Sequence, residues 1–330
     1  MKNFKSVCVV VLAIILISVG CSINRSEEKF SEQFISHLRQ EFDLGRERSP
    51  EKQYYSIETK LVHYALDGKR SSVGTLFLHL ETIPGSISGK NENEYVCRKF
   101  TVQRGTDSST SIPDLEGWSY SYRFGLDDQG QVFGIDHNRF ENLKNSDGQP
   151  FPPDTSYFVY NTFIDFHGFC DVFANRIEEG KGIQDLIALG DKIVHAAAFT
   201  EPPVNLGSNV AEGSTFQNGE VTLELKGLSL VHDRPSYVVE FDSGESSFNM
   251  IMQPMPNLQV ETTGSSHYKG DLYIDMESHW VRKVVMWELV VSETSLPVAP
   301  HKVNSVIERT TIIQNLNQTE FLEGLEKIVN

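Results

Sequence analysis

The stretch Tyr268-Lys-Gly-Asp-Leu-Tyr-Ile-Asp-Met-Glu-Ser-His-Trp-Val-Arg-Lys-Val-Val-Met-Trp287 decides the fold of this chain. Apolar and polar side chains alternate along Tyr268–Asp275 and again along Trp280–Trp287, which is the period of a β-strand. The segment Met276–His279 between them is only long enough for a turn, so the two halves predict an antiparallel hairpin. Alternation also means that one face of this hairpin is apolar and has to pack against a core.

Strand patterns continue on both sides of this hairpin. A second β block is predicted from Glu220 to Ile313, where Val221, Leu223 and Leu225 alternate with polar residues. A first β block is predicted from Tyr54 to about Ile135 and is interrupted by turn signals such as Asp67-Gly68 and Asp127–Gly130. Its last two strands, 120–124 and 132–135, are predicted to form a hairpin.

Helical periodicity replaces the strand pattern in three places. Phe30, Phe34, Leu38 and Phe42 recur every four residues between a cap at Ser26 and a stop at Gly45, which predicts an N-terminal helix. A dense aromatic run and the apolar residues after it predict a central helical pair at about 156–178 and 182–196. A short terminal helix is predicted around residues 321–328.

This order of elements favours an α+β fold, in which antiparallel strands form a curved sheet or half-barrel and the helices are segregated from it. The predicted organisation is a signal peptide at 1–20, a lipidated tether at 21–29 and three further segments. These are an N-terminal helix with the first β block at 30–153, the helical pair at 154–200, and the second β block with the terminal helix at 201–330. Residues 30–330 can equally form one single domain.

The N-terminus has the layout of a secretory signal peptide. Lys2 and Lys5 precede an apolar run from Val7 to Val19, which is shorter than the roughly 20 residues that a transmembrane helix needs. The segment Ile17-Ser18-Val19-Gly20-Cys21 resembles the lipobox of bacterial lipoproteins, with Ser18 where that family usually has Leu. The resemblance implies cleavage before Cys21 and lipid attachment to its thiol, with palmitate among the acyl chains. It implies the cell envelope as the location. By analogy with Gram-negative sorting, Ser22 after the cysteine predicts the periplasmic face of the outer membrane in such a cell.

The charge of the chain limits its partners. The sequence carries 29 Lys and Arg against 45 Asp and Glu, and removal of residues 1–20 takes two lysines and no acid, so the net charge goes from −16 to −18. Such a charge disfavours nucleic acid and anionic lipid surfaces. The expected partners are the membrane through lipidated Cys21, a lipid or other hydrophobic ligand, and an envelope protein. No cofactor is expected.

Cys97 and Cys170 remain after signal cleavage and lipidation of Cys21. In an oxidising compartment they can pair as a disulfide, and the alternative is two buried free thiols.

Three groups of residues are weighed as sites. His167 and Cys170 lie three apart and share a helix face, which suits a nucleophile and its base or two metal ligands, but burial among aromatic neighbours is favoured. Met250, Met252 and Met255 suit soft copper binding, although methionines also fill irregular cores. In the last hairpin alternation alone explains the pattern, and His279 is expected to be solvated in the turn. The residues weighed there are His267, Tyr268, Asp271, Asp275, His279, Trp280 and Trp287.

No phosphate-binding glycine loop, dinucleotide fingerprint, nucleophile elbow or H-E-x-x-H motif occurs in the sequence, so no catalytic residue is assigned. The hairpin Gly270–Asp275 with Trp280–Val285 is loosely similar to the repeating strand unit of the lipoprotein-carrier (Lol-type) and related lipid-binding lipoproteins. That resemblance implies a half-barrel with a hydrophobic ligand. The sequence therefore favours a non-enzymatic envelope lipoprotein that binds a hydrophobic ligand or a protein partner. A scaffold or assembly factor without a cavity, and a metal-binding or hydrolytic envelope protein, are the alternatives.

Overall fold

The two predicted β blocks form a single sheet. A computed structural model of the chain describes residues 42–65, 67–87, 92–123, 134–177, 180–195, 199–200, 210–255, 258–297 and 301–327, and these contain a 14-stranded antiparallel sheet. The strands are β1 (Gln53–Tyr64), β2 (Arg70–Ile87), β3 (Glu92–Arg104), β4 (Thr110–Ser111), β5 (Ser119–Tyr122), β6 (Lys192–His195), β7 (Phe199–Thr200), β8 (Thr215–Gln217), β9 (Val221–Val231), β10 (Arg234–Asp242), β11 (Ser246–Met255), β12 (Leu258–Asp275), β13 (Val281–Ser295) and β14 (Lys302–Leu316).

The order of the strands explains how the blocks join. It runs β4-β3-β2-β1-β14-β13-β12-β10-β9-β6, with β11 also on β12, β5 on β3, β8 on β11 and β7 on β8. The first strand pairs with the last along its length, from Tyr54 opposite Leu316 to Tyr64 opposite Val306. The first and last described strands of the unit therefore lie side by side in the middle of the sheet.

Helix α1 (Pro153–His167) continues into a π-helical turn, Gly168–Val172, and lies on one face of the sheet. A row of directly paired residues crosses seven strands beneath it, and every member is buried: Phe100, Leu78, Ile57, Ile313, Val284, Leu272 and Val239. The alternation in each strand predicts such a row once the register is set.

The sheet has to curve around this helical segment. Phe163 of α1 stacks on Phe100 of β3, and Phe169 of the π-helical turn packs on Phe241 of β10. β3 and β10 are six strand spacings apart, which is roughly 29 Å in a flat sheet, whereas Phe163 and Phe169 are separated by about 9 Å along a helix axis. One helical segment reaches both strands only because the sheet bends, so the predicted curved antiparallel sheet is confirmed.

The central helical pair is only half present. The predicted helix 156–178 corresponds to α1 with its π-helical turn, but the predicted helix 182–196 is wrong. That stretch contains a 3₁₀ turn at Ile183–Asp185, a loop, and β6 paired with β9. Gly190 has φ +86°, a left-handed conformation that interrupts a helix. Ile187 and Val194 are 60% and 52% exposed, so they do not form a buried stripe.

Of the remaining predicted elements, two are confirmed and the others lie partly or wholly outside the described residues. The hairpin of β12 and β13 and the terminal helix, α2 (Gln318–Lys327), are confirmed. The predicted N-terminal helix lies largely outside the described residues, and its described end at Phe42–Gly45 is not helical. The signal peptide and tether lie outside them, as do residues 124–133, which include the turn of the predicted 120–124 and 132–135 hairpin; its first strand is described as β5, which pairs with β3.

Candidate functional site

The apolar core ends at a row of charged residues. Leu61, Arg309, Glu288 and Tyr268 pair in turn across β1, β14, β13 and β12, on the same face as the buried row. Arg309 donates through Nε to Glu288 and through Nη1 to Asp165, which comes from α1. The side chains of Arg309, Glu288 and Asp165, which we call the charged row, are between 10% and 16% exposed.

One guanidinium serves two carboxylates in the charged row, so the row has one negative charge in excess when both acids are ionised. Burial raises the pKa of Asp165 to about 6, although Arg309 opposes the shift and Glu288 adds to it. The carboxylates in turn raise the pKa of Arg309 despite its burial. Tyr268 beside Glu288 contacts Asn218 through its hydroxyl at 3.4 Å. The core is thus bounded by a polar rim that can meet the polar end of a ligand.

Beyond the charged row the long strands continue, and we call this continuation on the α1 side the overhang face. It is defined by the inward residues Phe248, Met250 and Met252 of β11, Thr262, Gly264 and Ser266 of β12, Val290 and Ser292 of β13, and Ser305 and Ile307 of β14. With the exception of buried Ser266, these side chains are half-buried.

The overhang face is apolar at its centre and adaptable. The ring of Phe248 lies over Gly264, where an added Cβ would come within 2.5 Å of the ring. Met250 follows on the same strand, and unbranched methionine adjusts its shape to irregular apolar contacts. The helix α1 contacts β1 and β2, and its Asp165 bonds to Arg309 of β14 at the charged row, next to the overhang face. The arrangement can bind an apolar body with a polar end.

The methionine cluster is brought together only in part. Met250 and Met252 share the overhang face, opposite Thr262 and Val260, while the side chain of Met255 lies outside the described residues. In the described part of the chain, no three His, Cys, Asp or Glu side chains are close enough to hold a metal ion. The copper hypothesis for these methionines stays a prediction.

His167 and Cys170 do not form a nucleophile and base. The Nδ1 of His167 bonds to Asp171 at 2.8 Å, and its Nε2 bonds to the Tyr120 hydroxyl at 2.8 Å. Tyr122 stacks on the imidazole with ring centroids 3.9 Å apart. Burial lowers the pKa of His167 and raises that of the Cys170 thiol well above its ordinary value, so neither group is set up for proton transfer to a substrate.

Asp171 is the centre of this buried network, and no local sequence pattern points to its main partner. It accepts from Tyr95 at 2.8 Å and from Arg48 Nη1 at 2.9 Å, in addition to His167. Burial alone raises its pKa, but the hydrogen bond with His167 and the charge of Arg48 leave the pKa below its ordinary value. The network is a sealed structural one.

Cys97 and Cys170 are both buried free thiols. The disulfide weighed for them is not present in the structure, which has the alternative of two separately packed sulfhydryls. Cys97 lies on β3 opposite Leu80, whereas Cys170 lies in the π-helical turn.

The last hairpin does not converge into a site. His267 pairs with Asp242 at 2.8 Å, and Asp275 fixes the turn by accepting from Arg234, Arg282 and the Ser278 N–H. The expectation of a solvated His279 is wrong, because the residue is 3% exposed. Among the described helices, none combines the length and the apolar character needed to cross a bilayer.

Comparison with known proteins does not assign a family. No family model matches the chain, and no curated protein matches it. Among solved structures, a mutant porin of Rh. blastica is similar over 81% of this chain and 100% of its own, at 6% identity and TM-score 0.18. A DUF1329 family protein from Desulfovibrio piger is similar over 82% of this chain and 90% of its own, at 11% identity and TM-score 0.13. Such scores carry no argument about fold or function.

Proposed function

We propose that this chain is a non-enzymatic, lipid-anchored envelope protein that binds a hydrophobic ligand on the overhang face. One observation carries the binding half of the proposal: five half-buried apolar side chains continue past the end of the packed core among small threonine, glycine and serine residues, and they are Phe248, Met250, Met252, Val290 and Ile307. Contiguous apolar surface that is rimmed by polar groups is typical of a binding site. A lipid is the proposed ligand class, with its chain on the overhang face and its polar end at the charged row.

The anchoring half rests on residues 17–21, and its test is separate. We expect the chain expressed in a bacterial host to incorporate labelled palmitate and to fractionate with membranes, because each buried CH₂ contributes about 0.8 kcal/mol. The Cys21→Ser variant is expected to lose the label. Equal labelling of both proteins would remove Cys21 as the attachment point without bearing on the ligand site.

The ligand site is tested by a pair of neighbouring valines. Val290 lies on the overhang face and Val291 on the opposite face of the same strand, 47% exposed. We expect Val290→Asp to weaken binding of a fluorescent apolar probe at least about tenfold, because an unpaired charge against an apolar ligand costs more than about 1.4 kcal/mol. Val291→Asp is expected to leave the probe affinity within about twofold.

The measurement is a probe titration on the full chain, followed by solvent extraction and mass spectrometry of co-purified lipid. Met250→Ser, which adds no charge, gives a milder second variant on the overhang face. An equal loss of probe affinity in Val290→Asp and Val291→Asp would refute the assignment of the ligand to this face. Unchanged affinity in both Val290→Asp and Met250→Ser would also refute it.

A protein partner is the second candidate, and one observation favours it. Four large apolar side chains are exposed near the edge formed by β6 and β9: Ile187, Leu189, Val194 and Leu230. Absence of probe binding and of extractable lipid in the wild-type protein would favour this scaffold function over the ligand-binding one.

A further inference from the structure

Residues Phe42–Pro50, which we call the strap, cross the end of the core beside the turn between β12 and β13. The Ser49 N–H donates to the Ser278 carbonyl at 2.9 Å, and Trp280 Nε1 donates to the Ser49 carbonyl at 2.9 Å. Leu44 is 3% exposed, and Phe42 meets Tyr237 edge to face. The Arg48 guanidinium lies 4.5 Å from the Trp280 ring centroid. The strap is also anchored by Arg48, which pairs with buried Asp171 at 2.9 Å and donates to the carbonyls of Cys170 and Ala174, so opening of the strap exposes this pair to water.

His279 lies in that turn in an unfavourable state. Its φ is +59°, a left-handed conformation that few non-glycine residues adopt, although histidine, asparagine and aspartate adopt it more often than the others. Although the residue is buried, neither ring nitrogen has a hydrogen-bond partner. Its ring centroid is 6.3 Å from that of Tyr237, and Phe42 of the strap contacts the same tyrosine ring at 6.0 Å. A buried imidazole without partners loses hydration without compensation.

Buried side-chain atoms without a hydrogen-bond partner are concentrated where the strap meets the turn between β12 and β13, a contact that we call the seam. Of the twelve buried side-chain atoms without a partner in the described residues, six belong to the strap, the turn or the adjacent Tyr55: Arg48 Nε, Ser49 Oγ, Tyr55 OH, Ser278 Oγ and both nitrogens of His279. The polar atoms of the strap and of the turn that faces it would be hydrated if the strap moved away. Separation of the strap from the turn would therefore restore hydrogen bonds with water to polar groups that have none in the closed structure.

We propose that the strap is a pH-operated latch, which protonation of His279 releases from the turn between β12 and β13. The charged and titratable groups that face His279 are Asp43, Arg46 and Arg48 of the strap, Asp275 of β12 and Tyr237 of β10. Both carboxylates are already engaged, Asp43 by Arg46 and Asp275 by Arg234 and Arg282.

An imidazolium at His279 would therefore be buried beside two guanidinium groups. Burial is the main cause that holds the pKa of His279 below 6.5, and Arg46 adds to it. With the strap open the imidazole is hydrated and binds its proton near the ordinary pKa of about 6.5. The open state thus binds more protons below that pH, and the ratio of open to closed strap rises up to about tenfold for each pH unit of acidification.

The test is hydrogen exchange of the full chain at pH 7.5 and pH 5.0, with rates corrected for the intrinsic effect of pH. We expect protection of residues 42–50 to fall at least about tenfold at pH 5.0, while peptides from β1 and β14 keep their protection. In His279→Asn the fall is expected to vanish, because asparagine tolerates the left-handed conformation and does not titrate. His279→Gly is the second variant.

Unchanged protection of the wild-type strap at pH 5.0 would overturn the proposal. So would an equal fall in the wild type and in either His279 variant, since the proton would then act elsewhere. Loss of protection in β1 and β14 together with the strap would mean global unfolding and would also overturn it.

Discussion

Arg48→Met is expected to destabilise the protein by about 3–5 kcal/mol. Removal of one partner from a buried ion pair leaves the other charge without compensation, and this is among the most damaging single changes in a core. Asp171 is 7% exposed, and Arg48 is the cation that it contacts at 2.9 Å. The substitution also removes the donors to the Cys170 and Ala174 carbonyls. Equilibrium unfolding in urea at pH 7.5 measures the effect.

Arg46→Met, two residues away in the strap, is the matched control. Arg46 pairs with Asp43 in solvent, with 63% and 50% of the two side chains exposed, so its loss is expected to change stability by less than about 1 kcal/mol. The double variant Arg48→Met/Asp171→Asn is expected to recover part of the loss, because asparagine removes the uncompensated charge. If Arg48→Met costs no more than Arg46→Met, the Arg48–Asp171 pair does not hold the core.

The sequence could show the strands but not what their register brings together. Alternation over Tyr268–Trp287 is local and unaffected by distant residues, so the hairpin followed from it directly. Glu288, Arg309 and Asp165 meet only because β13 pairs with β14 in one register and α1 crosses both. Arg48 and Asp171 are 123 residues apart, and nothing in either local pattern points to the other.

Spacing alone did not identify the partner of His167, and it led to one wrong prediction. Both His167 and Cys170 are buried, as the sequence favoured, but the structure bonds His167 to Asp171, four residues on, where α1 gives way to the π-helical turn. Apolar residues in 182–196 have helical spacing, but left-handed Gly190 ends any helix, and the backbone of Gly190 and Asp191 bonds to Leu225 of β9 instead.

His79→Phe is expected to make the stability of the protein less dependent on acid. His79 is on the outer face of β2 beneath α2, where Phe321 packs on its ring and Gly324 passes close to Nε2. It is 6% exposed, and burial followed by the charge of Lys99 lowers its pKa from 6.5 to about 4. Because the folded state binds this proton less readily than the unfolded state, stability is complete above pH 6.5 and falls as the pH drops from 6.5 towards 4.

The size of this effect follows from the lowering of the His79 pKa from 6.5 to about 4. A pKa difference of that order between the unfolded and folded states reduces the free energy of unfolding by about 3 kcal/mol below pH 4 and by about 2 kcal/mol at pH 5. We therefore expect the stability lost by the wild type between pH 7.5 and 5.0, measured in urea, to exceed that of His79→Phe by roughly 2 kcal/mol.

Phenylalanine keeps the ring contact with Phe321 and removes the unpartnered Nδ1. Leu322→Ala, on the exposed side of α2, is the control and should retain the wild-type pH dependence. If His79→Phe lost as much unfolding free energy between pH 7.5 and 5.0 as the wild type, other groups would be responsible for the acid sensitivity. Burial beneath α2 would then not disfavour protonation of His79.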